Sequence, residues 1–263
     1  MASIPVLVLF KFTVTPILVG LASLAARRWG NTVAGLLTGF PLMTAPISIF
    51  LTIEEGPAFS IAATTGIHIA LIGVATYSIC YVLMARLAAW PIAILVAYGV
   101  FCTTSWAAQH IVTTQTQAAL AAYGAILLAV IVMPRGAPGA GPTGVPYWEI
   151  WLRMLATAAM IALVTSVAGL LGPTWTGIVS TVPVMGTILA TFTHARHGAD
   201  AVATFLRSMM LSMFSFATFF VVVGLALASV DILSSYVLAT VIAVGLSPFV
   251  IRLDKMSRRT ANT

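Results

Sequence analysis

The chain has 263 residues, of which 60% are hydrophobic and only 7% carry a charge. A soluble protein needs about a quarter of its residues charged to cover its surface, so this composition excludes a soluble globular domain and predicts an integral membrane protein. The net charge of +6 is expected to reflect where the loops lie relative to the membrane, rather than binding to nucleic acid.

Apolar runs follow one another along the chain, several of them close to the ~20 residues that cross a bilayer core. Backbone polar groups in lipid must be satisfied internally, and these runs are apolar on every face, unlike the alternating strands of a barrel. We therefore predict an all-α protein of about nine transmembrane helices. The predicted spans are 4–26, 32–52, 58–84, 90–109, 116–133, 148–170, 175–193, 200–228 and 232–251.

Comparison of the chain with itself indicates an internal repeat, in a single gap-free register that aligns Gly35 with Gly177. We call this alignment the repeat register. We predict a first four-span repeat over 1–112, a connector span and Pro/Gly-rich loop over 113–146, and a second four-span repeat with a basic tail over 147–263. Because one span separates the repeats, the second is expected to be inverted relative to the first, as in many secondary transporters. The other matched pairs include Lys11 with Arg153, Pro41 with Pro183, Gly56 with Gly198, and Thr76 with Thr218.

The basic residues outside the spans are divided unequally between the two sides of the membrane. One set of loops holds nine Lys and Arg residues, and the opposite set holds none but carries Glu54, Glu55 and Asp231. The positive-inside rule places the basic loops in the cytoplasm, so the N-terminus is predicted outside and the C-terminus inside. The nine basic residues are Arg27, Arg28, Arg86, Arg135, Arg196, Arg252, Lys255, Arg258 and Arg259.

Short motifs of the second repeat, at 176–183, 194–198 (HARHG) and 206–208, resemble the GlpM family of small four-span bacterial inner-membrane proteins. The sequence AGLLTGFP at 34–41 and Gly56 fit the same pattern in the first repeat, so the resemblance covers nearly the whole chain as two fused units. It implies a place in the bacterial inner membrane but does not indicate a substrate. A single unit would have to dimerise, whereas here the connector fuses the pair, and a homodimer of the whole chain stays open. The first unit departs from the pattern with Thr65 in place of Arg207 and Glu54 in place of Arg196.

Three basic residues fall inside predicted spans: Lys11, Arg153 and Arg207. A charge at the centre of a span costs at least ~2.5 kcal/mol on insertion scales, which favours a functional role. Since Lys11 and Arg153 occupy matched positions, pseudo-symmetry would bring both towards one cavity suited to a carboxylate or a phosphate. The alternative is that these long side chains reach the membrane interface; for Arg207 this means the cytoplasmic headgroups.

Proline interrupts two matched spans, at Pro41 and Pro183. Proline removes a backbone donor and displaces the i−4 carbonyl, and the freed carbonyls and half-helix ends can bind ions or polar groups. The alternative is a structural kink beside closely packed glycines. His68, inside the third span, is a candidate to pair with Glu54 or to relay protons, with a hydrogen-bonded packing role as the alternative. The hydroxyl side chains beside the breaks are Thr38, Thr44, Ser180, Thr181 and Thr187.

The sequence has no HExxH motif, no Gly-x-Ser-x-Gly elbow and no phosphate-binding P-loop, so we expect no enzyme, no metal and no cofactor. We predict a secondary transporter or exporter of a small anionic solute, with its site at the repeat interface. The alternatives are a lipid-handling protein, such as a flippase or an envelope polysaccharide factor, and a structural membrane protein without transport. The expected partners are the lipid bilayer and the small-molecule substrate.

Overall fold

The computed structural model describes residues 44–134 and 147–260, together with Pro41 and isolated positions between 13 and 24; side chains at 147, 149, 153, 157 and 248–260 are outside the description. Over these residues, the regular secondary structure is entirely helical. The helices are α1 Thr44–Glu54, α2 Pro57–Met84, α3 Trp90–Ile111, α4 Gln115–Val132, α5 Tyr147–Ser180, α6 Val184–Ala226 and α7 Ile232–Thr260.

Four described helical stretches are long and apolar enough to cross a membrane, judged by length and composition. They are Pro57–Met84, Trp90–Ile111, Gln115–Val132 and Ile150–Ala226, the last of which is interrupted by three breaks. The prediction of an all-helical chain with several membrane-length helices is therefore confirmed. The count of nine stays a prediction, because most of spans 4–26 and 32–52 lie outside the described residues.

Local sequence signals explain where the helices begin. Proline occupies the first turn of α2 and of α3, where its missing N–H has no intrahelical partner to lose. The Thr114 hydroxyl accepts the backbone N–H of Gln117 at 3.2 Å and so caps α4. At the start of α7, Asp231 accepts the backbone N–H of Ser234 at 3.1 Å, and the Ser234 hydroxyl and N–H hold the pKa of Asp231 below its ordinary value.

The predicted loops at 171–174 and 194–199 are wrong, because single glycines replace them. Gly172 (φ 73°) is the one residue within α5 that has non-helical backbone angles. Gly198 (φ 79°) is the one such residue within α6. A positive φ is open to glycine without steric cost, so the chain redirects the helix axis within one residue. Within the predicted span 175–193, the interruption predicted at Pro183 is present, since α5 ends at Ser180 and α6 begins at Val184.

Local backbone structure recurs in the repeat register. Gly56 (φ 92°, ψ 164°) and Gly198 (φ 79°, ψ −173°) share one unusual conformation, and each precedes a helical stretch of the same length. These stretches end with nearly identical C-cap geometry, φ −62° and ψ −20° at Ala85 against φ −60° and ψ −17° at Leu227. Further pairs in this register are the helix starts Trp90 and Ile232, and the carbonyl acceptors Pro41 and Pro183.

Helix α2 lies at the centre of the described part and packs against α1, α3, α4, α5 and α6. At one end of the bundle, Arg86 forms an exposed salt bridge with Asp200 (N to O 3.6 Å). At the opposite end, the Thr52 hydroxyl lies 2.9 Å from the Tyr236 hydroxyl. We call the first the basic end, which carries Arg86 and Arg196, and the second the acidic end, which carries Glu54, Glu55 and Asp231.

Candidate functional site at two helix breaks

The helix break at Pro183 separates the end of α5 at Ser180 from the start of α6 at Val184. Proline has no N–H to continue the helical ladder, and Pro183 takes the non-helical angles φ −78° and ψ 55°. The hydroxyls of Ser180 and Thr181 each donate to the Gly177 carbonyl at 2.9 Å and complete the last turn of α5. On the other side of the break, the Pro183 carbonyl accepts the backbone N–H of Thr187 at 2.8 Å.

Pro41 precedes α1 and shares one backbone feature with Pro183. Pro41 is buried, and its carbonyl accepts the backbone N–H of Ala45 at 2.8 Å, one helical turn on, as Pro183 does for Thr187. The Thr44 hydroxyl donates to the Ser180 carbonyl at 3.3 Å, which joins the first turn of α1 to the last turn of α5. The start of α1, just after Pro41, therefore meets the helix break at Pro183, although the two lie far apart in the sequence. Thr38 lies outside the described residues.

A line of hydroxyls leads from this meeting point to the acidic end. Thr44, Ser48 and Thr52 recur at every fourth residue of α1, which places them on one face of the helix. The Tyr236 hydroxyl bridges Ser48 (2.6 Å) and Thr52 (2.9 Å), and Thr52 also donates to Ser60 at 2.8 Å. All five side chains are buried. We call these residues the acidic-end hydroxyl cluster.

A second polar line leads from Pro183 towards the basic end. Thr187, on the first turns of α6, contacts the hydroxyls of Tyr77 (2.8 Å) and Tyr98 (2.9 Å). One turn further, the Thr191 hydroxyl donates to the Thr187 carbonyl, and His194 then packs edge-on against the Tyr81 ring with centroids 5.9 Å apart. Thr187, Tyr98 and His194 are half-buried, so this basic-end polar line is less closed than the acidic-end hydroxyl cluster.

The intramembrane cations are only partly placed. Lys11 lies outside the described residues, and Arg153 lies on α5 with its side chain undescribed. Arg207 is buried, with 5% of its surface exposed, and its guanidinium donates to the carbonyls of Val130 and, at 3.2 Å, Met133. These carbonyls close the C-terminus of α4, where helices leave acceptors unpaired and carry partial negative charge. Arg207 thus caps the C-terminus of α4, and its contact with a substrate or with lipid headgroups stays a prediction.

His68 lies fully buried in α2. Its Nδ1 lies 2.7 Å from the Thr64 carbonyl oxygen, and its Nε2 lies 3.2 Å from the Ala217 carbonyl oxygen on α6. Both ring nitrogens therefore lie against backbone carbonyls, as a hydrogen-bonded packing histidine would, and neither lies against Glu54. The role of His68 in relaying protons stays a prediction.

Four tyrosines of the acidic-end hydroxyl cluster and the basic-end polar line were not among the residues that the sequence singles out: Tyr77, Tyr81, Tyr98 and Tyr236. The available signal is the recurrence of hydroxyls at every fourth residue on otherwise apolar helices, as at Thr44 and Ser48. It marks a polar face but does not name the aromatic partner on another helix. Among the described residues, no group of three or more His, Cys, Asp and Glu side chains could hold a metal ion.

Comparisons of the chain with protein-family models, with curated proteins and with solved structures find no significant match. The resemblance to the GlpM family therefore stays a prediction from the short motifs quoted above.

Proposed function

We propose that this protein is a secondary transporter of a small anionic solute, bound where the breaks at Pro41 and Pro183 meet. The observation that carries the proposal is the Thr44–Ser180 contact, from which polar side chains lead to both ends of the bundle. A break frees backbone carbonyls and half-helix termini, which bind solutes and ions in transporters with discontinuous helices. Hydroxyl-lined paths on either side would give the solute polar contacts in each direction.

The proposal includes two inverted four-span units joined by α4. Its support is the recurrence of backbone structure in the repeat register, together with a reciprocal pattern of contacts. Helix α1 of the first unit packs against α7, the last helix of the second, while the first half of α6 packs through Thr187 against Tyr98 of α3, the last helix of the first unit. Reciprocal contacts of this kind are what a two-fold axis produces.

A cysteine cross-link tests the two-fold relation. In the repeat register, Thr44 corresponds to Gly186 and Ser180 corresponds to Thr38, so Thr38→Cys with Gly186→Cys should form a disulfide under mild oxidation. The Cα atoms must approach within about 7 Å for this bond. The background is Cys80→Ala/Cys102→Ala, which removes the two native thiols. The readout is the mobility shift of the single chain on electrophoresis.

Two reference cysteine pairs serve as the positive and negative controls for this cross-link. Thr44→Cys with Ser180→Cys should link, because these residues are already in contact. Thr38→Cys with Gly99→Cys should not, because Gly99 faces open space on α3. If the first reference pair links and the Thr38/Gly186 pair does not, the two-unit symmetry is wrong.

The orientation and the charge of the solute complete the proposal. The basic end lies in the cytoplasm of a bacterial inner membrane by the positive-inside rule, and Lys11 and Arg153 supply the positive charge of the site. No enzymatic step is involved.

Thiol modification tests the path without knowledge of the substrate. In the cysteine-free background, Thr187→Cys is expected to react with the anionic reagent sulfonatoethyl methanethiosulfonate added from the basic end. It should react about tenfold or more faster than Leu95→Cys, because a thiolate forms readily only in a polar, hydrated environment. Leu95 is the matched control, since it lies on α3 with 75% of its surface exposed and is expected to face lipid.

The same variant tests the anionic character of the site. The rate with the anionic reagent, divided by the rate with its trimethylammonium analogue, is normalised to the ratio for free mercaptoethanol. We expect this ratio above one at Thr187→Cys and near one after Lys11→Gln and Arg153→Gln. Equal rates at Thr187→Cys and Leu95→Cys would rule out the path, and a ratio below one would rule out the anionic site.

A further inference from the structure

His68 is held between two backbone carbonyls that belong to different halves of the chain. Thr64 lies one turn back on α2, in the first repeat, and Ala217 lies on the second half of α6, in the second repeat. The ring is fully buried. It therefore forms a polar connection between the two predicted units inside the membrane-spanning part of the bundle.

The two acceptors match a doubly protonated ring better than a neutral one. A carbonyl oxygen only accepts hydrogen bonds, and a neutral imidazole carries a single N–H, whereas an imidazolium donates from both nitrogens. The shorter contact, 2.7 Å at Nδ1, assigns the proton of the neutral ring to Nδ1. The Nε2 lone pair then faces the Ala217 oxygen at 3.2 Å, a position already arranged for an added proton.

We propose that His68 binds the coupling proton of the transporter at Nε2. This inference rests on the proposed transport function and names its coupling ion. Protonation converts the Nε2 contact into a charge-assisted hydrogen bond, which is stronger and shorter than a neutral one. The proton therefore ties α2 to α6, and its release removes that tie. Since α2 also carries Tyr77, which contacts Thr187, a shift of α2 against α6 changes the basic-end polar line.

The titratable groups on the helices around α2 are engaged elsewhere. Tyr98 of α3 bonds Thr187, Tyr123 of α4 bonds Thr218, and Arg207 of α6 bonds the end of α4. On α2 itself, Tyr77 bonds Thr187, and Tyr81 packs on His194. The remaining titratable groups with described side chains on α1, α2, α3 and α6 are Glu54, Cys80, Cys102, His110, His194, Arg196, His197 and Asp200. Cys80 is half-buried and Cys102 is exposed, and the others are exposed or lie near helix ends. Among the side chains that the structure describes, His68 is thus the group expected to bind the proton.

Nitrogen NMR of the full chain in lipid nanodiscs tests proton binding directly. The chain has four histidines, so His110→Gln/His194→Gln/His197→Gln leaves His68 as the sole labelled ring. Between about pH 5 and pH 8, we expect the Nε2 resonance to change from the protonated to the unprotonated type while Nδ1 stays protonated. A single neutral tautomer at every pH in this range would overturn the proposal, and the folded state of the protein is checked in the same spectra.

Thiol modification of Thr187→Cys then tests whether the proton is coupled to the path. Its rate, corrected for the thiolate fraction, should depend on pH in the parent background and lose this dependence in His68→Gln. The matched control, His110→Gln, changes an exposed histidine at the end of α3 and should keep the dependence. Persistence of the dependence in His68→Gln overturns the coupling. Absence of any reaction at Thr187→Cys is a different result, which rejects the transport path itself.

Discussion

Replacing Arg207 with methionine is expected to lower the free energy of unfolding by about 3 kcal/mol, since hydrogen bonds to charged groups contribute about 1.5–3 kcal/mol each and buried acceptors left unpaired carry their own penalty. Methionine retains much of the length of the side chain but cannot donate to the carbonyls of Val130 and Met133. The C-terminus of α4 then keeps its partial negative charge without a partner. Equilibrium unfolding in mixed micelles measures the loss.

An exposed arginine provides the control for this substitution. Arg86→Met removes the salt bridge between Arg86 and Asp200, two side chains that are both exposed. Because exposed ion pairs contribute about 0–1 kcal/mol, the free energy of unfolding should fall by no more than that. Arg207→Lys should recover part of the loss, because an ammonium can donate to one of the two carbonyls but does not have the spread of a guanidinium. Equal stability of Arg207→Met and Arg86→Met would show that Arg207 has no capping role, and a substrate-binding role would become the better explanation of its cost.

The sequence predicts the central helices well, in part because Pro57 and Pro91 mark the starts of α2 and α3 and Pro134 follows α4. The spans predicted at 58–84, 90–109 and 116–133 correspond closely to α2, α3 and α4. Proline also predicted the break at Pro183. The one-residue bends at Gly172 and Gly198 were predicted as loops, because composition cannot distinguish a loop from a single glycine with positive φ.

The candidate site could be predicted only in part, because its contacts join distant segments. Hydroxyls beside Pro41 and Pro183 follow from proximity in the sequence, but the Thr44–Ser180 and Ser48–Tyr236 contacts each join one half of the chain to the other. Neither partner carries a local signal for the other. Arg207 illustrates the same limit. The cost of inserting its charge into a membrane marked it as a candidate, but its carbonyl partners could not be inferred, because they lie far earlier in the chain at the end of α4.

Gly177→Ala is expected to lower the free energy of unfolding by about 1–3 kcal/mol, the usual cost of overfilling a packed interface. The last turns of α5 cross α2 with backbone against backbone. A Cβ at Gly177 would meet the Ala63 carbonyl and lie 2.8 Å from the Ile67 nitrogen, while a Cβ at Gly66 would meet the Thr174 carbonyl. Backbone atoms cannot rotate away as a side chain can, so the end of α5 must move off α2.

That movement should also separate the end of α5 from the start of α1. Ser180 follows Gly177 by less than one turn, so the Thr44–Ser180 contact is expected to lengthen and modification of Thr187→Cys to change together with stability. Gly124→Ala is the matched control, since Gly124 lies inside α4 with no neighbouring atom within 4 Å. There the added methyl group should raise stability, by up to about 1 kcal/mol from helix propensity alone. Glycine-to-alanine substitution is thus expected to change the free energy of unfolding in opposite directions at Gly177 and Gly124. A Gly177→Ala protein as stable as the parent would show that α5 and α2 do not approach this closely.

Under the proposed repeat, Gly35→Ala should lower stability as Gly177→Ala does, because Gly35 occupies the equivalent position of the first unit.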